Sequence, residues 1–101
     1  MRKMLKVLIR VPGNIRKEKK KLSKLIMEFC ENQGLLGAII VQGIAAYGEQ
    51  EYKAGLLRGM IDLAQIIDII DDPVVIQQVI PKLKELINDH GLMTIEEVYI
   101  I

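Results

Sequence analysis

Two runs of β-branched residues constrain this chain more than any other feature. Ile39, Ile40 and Val41 are consecutive in "GAIIVQGIAAYG" (37–48), and Ile66–Ile67 and Ile69–Ile70 crowd "LAQIIDIID" (63–71). Successive strand residues point to opposite faces, so a sheet with one wet face reads as alternation. These segments instead project apolar side chains from both faces. Two helices can hide only one of them. A large apolar patch left in water is unusual for a soluble monomer. Burying even ~300 Å² of it contributes several kcal/mol at ~25 cal/mol per Å². Self-association through the sheet, most simply as a closed symmetric oligomer, is therefore expected. A monomer whose loops and C-terminus cover that face is the alternative.

The rest of the chain supplies the helices. "MLKVLIRV" (4–11) alternates charged with apolar residues, the period of a strand, and "PGN" (12–14) ends it. In "IRKEKKKLSKLIMEFCENQG" (15–34), Leu22, Leu25, Ile26 and Phe29 share one helical face, and Gly34 stands where a helix C-terminal glycine belongs. A second strand is expected over 38–47, a polar loop over 48–62 and a third strand over 63–71. Asp72-Pro73 reads as a helix start, with Asp72 capping the first amides and Pro73 in the first turn. The helix carries Val75, Ile76, Val79, Ile80, Leu83, Leu86 and Ile87 and ends near Gly91; Pro81 within it predicts a kink or a break. "MTIEEVYII" (93–101) closes the chain as a strand. The order β-α-β-β-α-β is the ferredoxin-like split βαβ arrangement: an α+β two-layer sandwich, an antiparallel sheet with two helices on one face, as a single domain over 1–101.

Composition excludes several classes. With 14 basic and 13 acidic residues the net charge is +1, against the strong basic excess of a general nucleic-acid binder. One cysteine allows no internal disulfide and no Cys pair for a metal. The apolar start is interrupted by Lys6 and Arg10 and lacks a cleavage site, so no signal peptide is read, and no apolar run approaches the ~18 residues of a membrane span. A cytoplasmic, non-membrane protein is expected. No nucleophile–base–acid constellation stands out, so an enzyme is not expected.

The second strand carries a resemblance. "VQGIAAYGEQ" (41–50), with spaced glycines running into a polar loop, resembles the PII-like signalling proteins. The closest likeness is to a branch of them, domain-of-unknown-function family 190, in "GLLGAIIVQGIAAYG" (34–48), "LLRGMIDLAQIIDIID" (56–71) and "GLMTIEEVYI" (91–100). The resemblance implies a ferredoxin-like homotrimer. It also implies clefts between subunits that hold a small effector, an adenine nucleotide in the wider superfamily, and a loop that docks a partner protein. Departures are visible. Gln42 stands where an Arg often precedes the glycine, Ala46 where a Gly often precedes the aromatic-glycine pair, and "NDHGLMTIEEV" replaces the glycine- and lysine-rich phosphate loop. A structural or metal-responsive trimer resembling the copper-tolerance CutA proteins, without nucleotide binding, is the alternative.

The candidate ligand-binding residues are Gln42, Gly43, Tyr47, Gly48, Lys53 and Arg58, with His90 and Gly91 from a neighbouring subunit. Gly43 and Gly48 let a ligand approach the backbone, or mark a bend in the strand. Lys53 and Arg58 suit phosphate or carboxylate groups, the planar fork of Arg especially, though ordinary solvated charge also explains them. Tyr47 and Tyr52 could stack on a base or pack at a rim. "RKEKKK" (16–21) places cations at the positive end of the first helix, an unfavourable position that suits an anion or acidic partner if it is not simply a solvated face. His90 lacks a partner nucleophile and serves best as a cation at a helix C-terminus. Cys30 reads as an inert core thiol. Capping by Asp72, with Asp68 and Asp71 solvated at an edge, explains the acidic group without a metal.

Overall fold

The computed structural model describes residues 1–43 and 64–101. Strand β1 (Arg2–Val11) is followed by a short hairpin of β2 (Arg16–Lys17) and β3 (Lys20–Lys21). Helix α1 (Leu22–Asn32), strands β4 (Gly37–Gln42) and β5 (Gln65–Asp71), helix α2 (Pro73–Ile87) and strand β6 (Leu92–Ile100) complete the described elements. The main sheet has the order β4-β5-β1-β6 with every neighbour antiparallel, which is the expected ferredoxin-like arrangement.

Register assigns the faces. Val7 pairs with Ile69 and Ile9 with Ile67, and all four are fully buried beneath the helices. Helix α1 meets them with Leu22, Ile26 and Cys30, and α2 with Ile76, Val79, Leu83 and Ile87, each set at helical spacing. Leu25 and Phe29, expected on the same stripe, lie half-buried at its margin. The other face of β4 and β5 carries Ile39, Val41, Ile66 and Ile70, with Ile39 57% and Val41 47% exposed. The second apolar face inferred from the sequence is thus present, and the described helices α1 and α2 do not cover it.

Four local expectations need correction. Residues 16–21 do not begin the first helix. Glu18 (φ 52°) and Lys19 (φ 68°) turn the chain in a two-residue hairpin, and α1 starts only at Leu22, whose amide donates to the Ile15 carbonyl at 2.9 Å. Both turn positions have the positive φ of a type I′ hairpin, which suits this geometry without glycine only at a cost. Asp72 occupies the N-cap position of α2 but makes no cap bond with its side chain. Its two carboxylate oxygens accept from one guanidinium nitrogen of Arg2, both at 2.6 Å. Asp71 does the local anchoring instead and is buried rather than solvated: Oδ1 accepts from the Asp72 amide at 2.6 Å and Oδ2 from the Leu36 amide at 2.8 Å. Helix α2 also runs through Pro81 without a break.

Gly34 does end α1 as expected. It has φ 66°, and the amides of Gly34 and Leu35 donate to Glu31 and Cys30, the paired bonds of a Schellman cap.

Candidate functional site

One end of the sandwich collects the features that a binding site would use. Strand β4 finishes at Gln42 and β1 at Val11, while β5 begins at Gln65 and β6 at Leu92. Gln42 pairs with Gln65, Gln65 with Val11, and Arg10 with Leu92, so these ends lie in adjacent rows. The amide of Gly43 donates to the Ala64 carbonyl at 2.9 Å, and residues 44–63 connect these two points. A Cβ on Gly43 would stand 2.9 Å from that same carbonyl oxygen, so the close approach accounts for glycine here.

A polar chain lies beneath this junction. Ser23, buried in the first turn of α1, donates from Oγ to Gln65 Oε1; Gln65 Nε2 donates to Gln42 Oε1 at 3.1 Å. Gln65 has the same parity along β5 as the buried Ile67 and Ile69, so its amide enters the helix side of the sheet, where a polar group needs partners. Sequence reading missed Gln65 and its contact with Ser23. The available signal was a polar residue at a core-facing parity of an otherwise apolar strand.

The opposite edge contributes the turn between α2 and β6. The His90 amide donates to the Ile87 carbonyl at 3.0 Å, and Asn88 holds φ 52°, ψ −123°, a conformation that favours glycine. A shallow cavity of about 400 Å³ lies here, lined by Lys84, Ile87, Asn88, Gly91 and Met93. A Cβ on Gly91 would collide with the Arg10 carbonyl oxygen and stand 2.8 Å from Val11 Cγ1, which gives this glycine a packing reason independent of any ligand. The hairpin reaches the same end, for Lys17 Nζ donates to the Leu86 carbonyl at 3.3 Å.

Of the sequence-derived candidates, Gln42 and Gly43 therefore stand at the β4 edge, and His90 and Gly91 at the β6 edge. The intervening strands β5 and β1 separate the two pairs by three strand spacings, roughly 14 Å. Tyr47, Gly48, Lys53 and Arg58, with Tyr52, lie outside the described residues. Cys30 is fully buried, and its thiol is pushed up from 9.0 to about 11 by desolvation, partly opposed by a backbone hydrogen bond. Among the described residues no group of His, Cys, Asp or Glu could hold a metal ion, and no helix is long and apolar enough to cross a membrane.

The fold is that of the PII-like proteins. The chain aligns over 97% of its length with CPII of Thiomonas intermedia K12, a nitrogen regulatory PII-like protein solved with ADP, AMP and bicarbonate (TM-score 0.71, 13% identity, 88% of that chain). It aligns over 99% with a putative PII-like signaling protein, TTHA0516, of Thermus thermophilus (TM-score 0.68, 18% identity, 90% of that chain). At these identities the likeness establishes the fold alone.

Within that class the chain belongs to the family DUF190, described as an uncharacterized ACR, whose family model matches residues 3–100. It is also 30% identical over 99 residues to UPF0166 protein MJ1524 of Methanocaldococcus jannaschii, covering 97% of this chain and 90% of that relative.

Proposed function

We propose that the protein is a PII-like regulator: a homotrimer that binds a small anionic effector, with an adenine nucleotide as the first candidate, in clefts between subunits. Effector binding then alters how the segment after Gly43, including 48–62, meets a partner protein. The observation that carries this reading is the placement of the candidates at opposite edges of one sheet end. Gln42 and Gly43 are separated from His90 and Gly91 by roughly 14 Å, too far for one compact ligand to be gripped by both pairs within a chain. Association of edges or faces from two copies brings such pairs together and also covers the apolar face of Ile39 and Val41. The PII-like CPII, bound to ADP and AMP, supports the nucleotide class. Coupling needs an effector that binds one arrangement of the segment better than another, since equal affinity shifts nothing.

Calorimetric titration of the purified protein with ATP, ADP, AMP and cyclic dinucleotides tests the reading. Saturable binding that weakens on Gln42→Ala and on His90→Ala supports it. Silence across the panel removes nucleotide sensing.

A further inference from the structure

The hairpin of β2 and β3 breaks local rules in a consistent direction. Its two cross-strand pairs, Arg16 with Lys21 and Lys17 with Lys20, set like charges opposite each other, an arrangement that destabilises a ladder. Its turn places Glu18 and Lys19 at positive φ, where Asn or Gly would be cheaper. Residues 16–24 carry six basic side chains and one acidic one; because the whole chain carries +1, everything outside this stretch carries −4. Two of the six are internally engaged, Lys17 by the Leu86 carbonyl and Lys20 by Glu28 at 3.0 Å. Arg16 uses one nitrogen to hold the Lys19 carbonyl at 2.9 Å. Among the described residues Lys19, Lys21 and Lys24 make no ion pair, and Arg16, Lys19, Lys21 and Lys24 are all exposed.

We propose that this hairpin and the first turn of α1 form a docking surface for an acidic segment of a partner protein, with Arg16, Lys21 and Lys24 as the main contacts. The charges repel one another in the isolated chain, and carboxylates lying across them would relieve that repulsion. The hairpin is already held by the Leu22–Ile15, Arg16–Lys19 and Lys17–Leu86 bonds, so little ordering is needed at binding. The residues from Arg16 to Lys21 include no apolar side chain to enter a bilayer, which disfavours a membrane. No aromatic residue occurs between Ile15 and Lys24, and the −4 remainder repels a long polyanion, which disfavours nucleic acid. A short acidic segment fits the patch in size and sign. The proposal does not depend on an effector being bound.

The test uses the full chain and a fluorescein-labelled oligoglutamate peptide, read by anisotropy at low and at physiological salt. The variant Arg16→Gln/Lys21→Gln/Lys24→Gln is compared with the charge-matched control Lys3→Gln/Lys82→Gln/Lys84→Gln. Binding by the native chain, a loss of roughly tenfold or more in the hairpin variant and little change in the control are expected. The hairpin variant should melt close to the native temperature, since relief of the repulsion offsets the lost Arg16–Lys19 carbonyl bond. Lys24→Glu, at an exposed position without a bond, guards against a folding defect and should weaken the peptide severalfold. Absence of peptide binding, equal losses in both triple variants, an unaffected Lys24→Glu, or tighter binding to phosphatidylserine vesicles or a DNA duplex than to the peptide would overturn the proposal.

Discussion

The carbonyl oxygen of Arg10 occupies the space that a side chain on Gly91 would need. A Cβ there also meets Val11 Cγ1 at 2.8 Å and Ile87 Cγ2 at 3.3 Å, so β1, α2 and the start of β6 would all have to shift. Gly91→Ala is expected to cost ~1–3 kcal/mol, the usual range for forcing extra volume into a packed site. Urea denaturation with an unchanged slope checks it, and a neutral result would mean that the strand end yields easily.

Asp71 and Asp72 are neighbours with unequal expected costs. Asp71 is buried and satisfies two backbone amides, one in each of two segments far apart in sequence. Asp71→Ala leaves both amides unpaired and should cost ~2–4 kcal/mol. Asp72 forms an ion pair with Arg2 at a largely exposed position and caps nothing, so Asp72→Ala should cost no more than ~1 kcal/mol. Thermal melts of the two variants under one condition decide it; equal losses would refute the assignment of the anchoring role to Asp71.

The Ser23–Gln65–Gln42 chain ties the first turn of α1 to the base of the 44–63 segment. Ser23→Ala removes the donor to Gln65 and leaves a part-buried amide oxygen underserved, at ~1 kcal/mol. The distinguishing readout is hydrogen exchange of the Gly43 amide, which closes that base on Ala64. Its exchange should quicken in Ser23→Ala and stay native in the exposed variant Gln78→Ala.

The fold was largely legible because its periodicities were clean. Leu22, Ile26, Ile76, Val79, Leu83 and Ile87 sit at helical spacing, and β1 alternates, so element order and faces followed. What escaped depended on contacts between distant segments. The 16–21 run has good helix formers, and nothing local reveals that Lys17 reaches Leu86 or that Ile15 holds Leu22. Asp72 has the composition of a cap, yet Arg2, distant in sequence, takes its carboxylate, while the less conspicuous Asp71 holds the amides. The site was half legible: glycine spacing marked the end of β4, but the Ser23–Gln65 contact joins residues no motif connects.

Cys30 makes stability depend on alkaline pH. Burial raises its folded value to about 11, so between 9.0 and about 11 the unfolded chain loses the thiol proton while the folded chain keeps it. Its contribution is complete below pH 9 and falls as pH rises through that window, by on the order of 3 kcal/mol at ~1.4 kcal/mol per pH unit. Chemical denaturation at pH 8 and pH 10.5 should show a smaller decline for Cys30→Ala than for the native chain. In the folded native protein at pH 8 the thiol should resist iodoacetamide and become reactive only on unfolding.

The uncovered sheet face should govern assembly. Ile39 and Val41 are about half exposed beside Ile66 and Ile70, and the Lys6–Asp68 pair at 3.5 Å lies among them. A charge introduced into such a face must be desolvated when two copies meet, at a cost of several kcal/mol. Ile39→Glu should therefore shift sedimentation of a native oligomer toward the single 11.4 kDa chain, with circular dichroism unchanged because Ile39 lies outside the helix-covered core. Val74→Glu, an equally exposed apolar position at the start of α2 and away from this face, should leave assembly intact. A native protein that sediments as one chain at micromolar concentration would show instead that the apolar face is tolerated in water, and would remove the subunit clefts on which the proposed effector site depends.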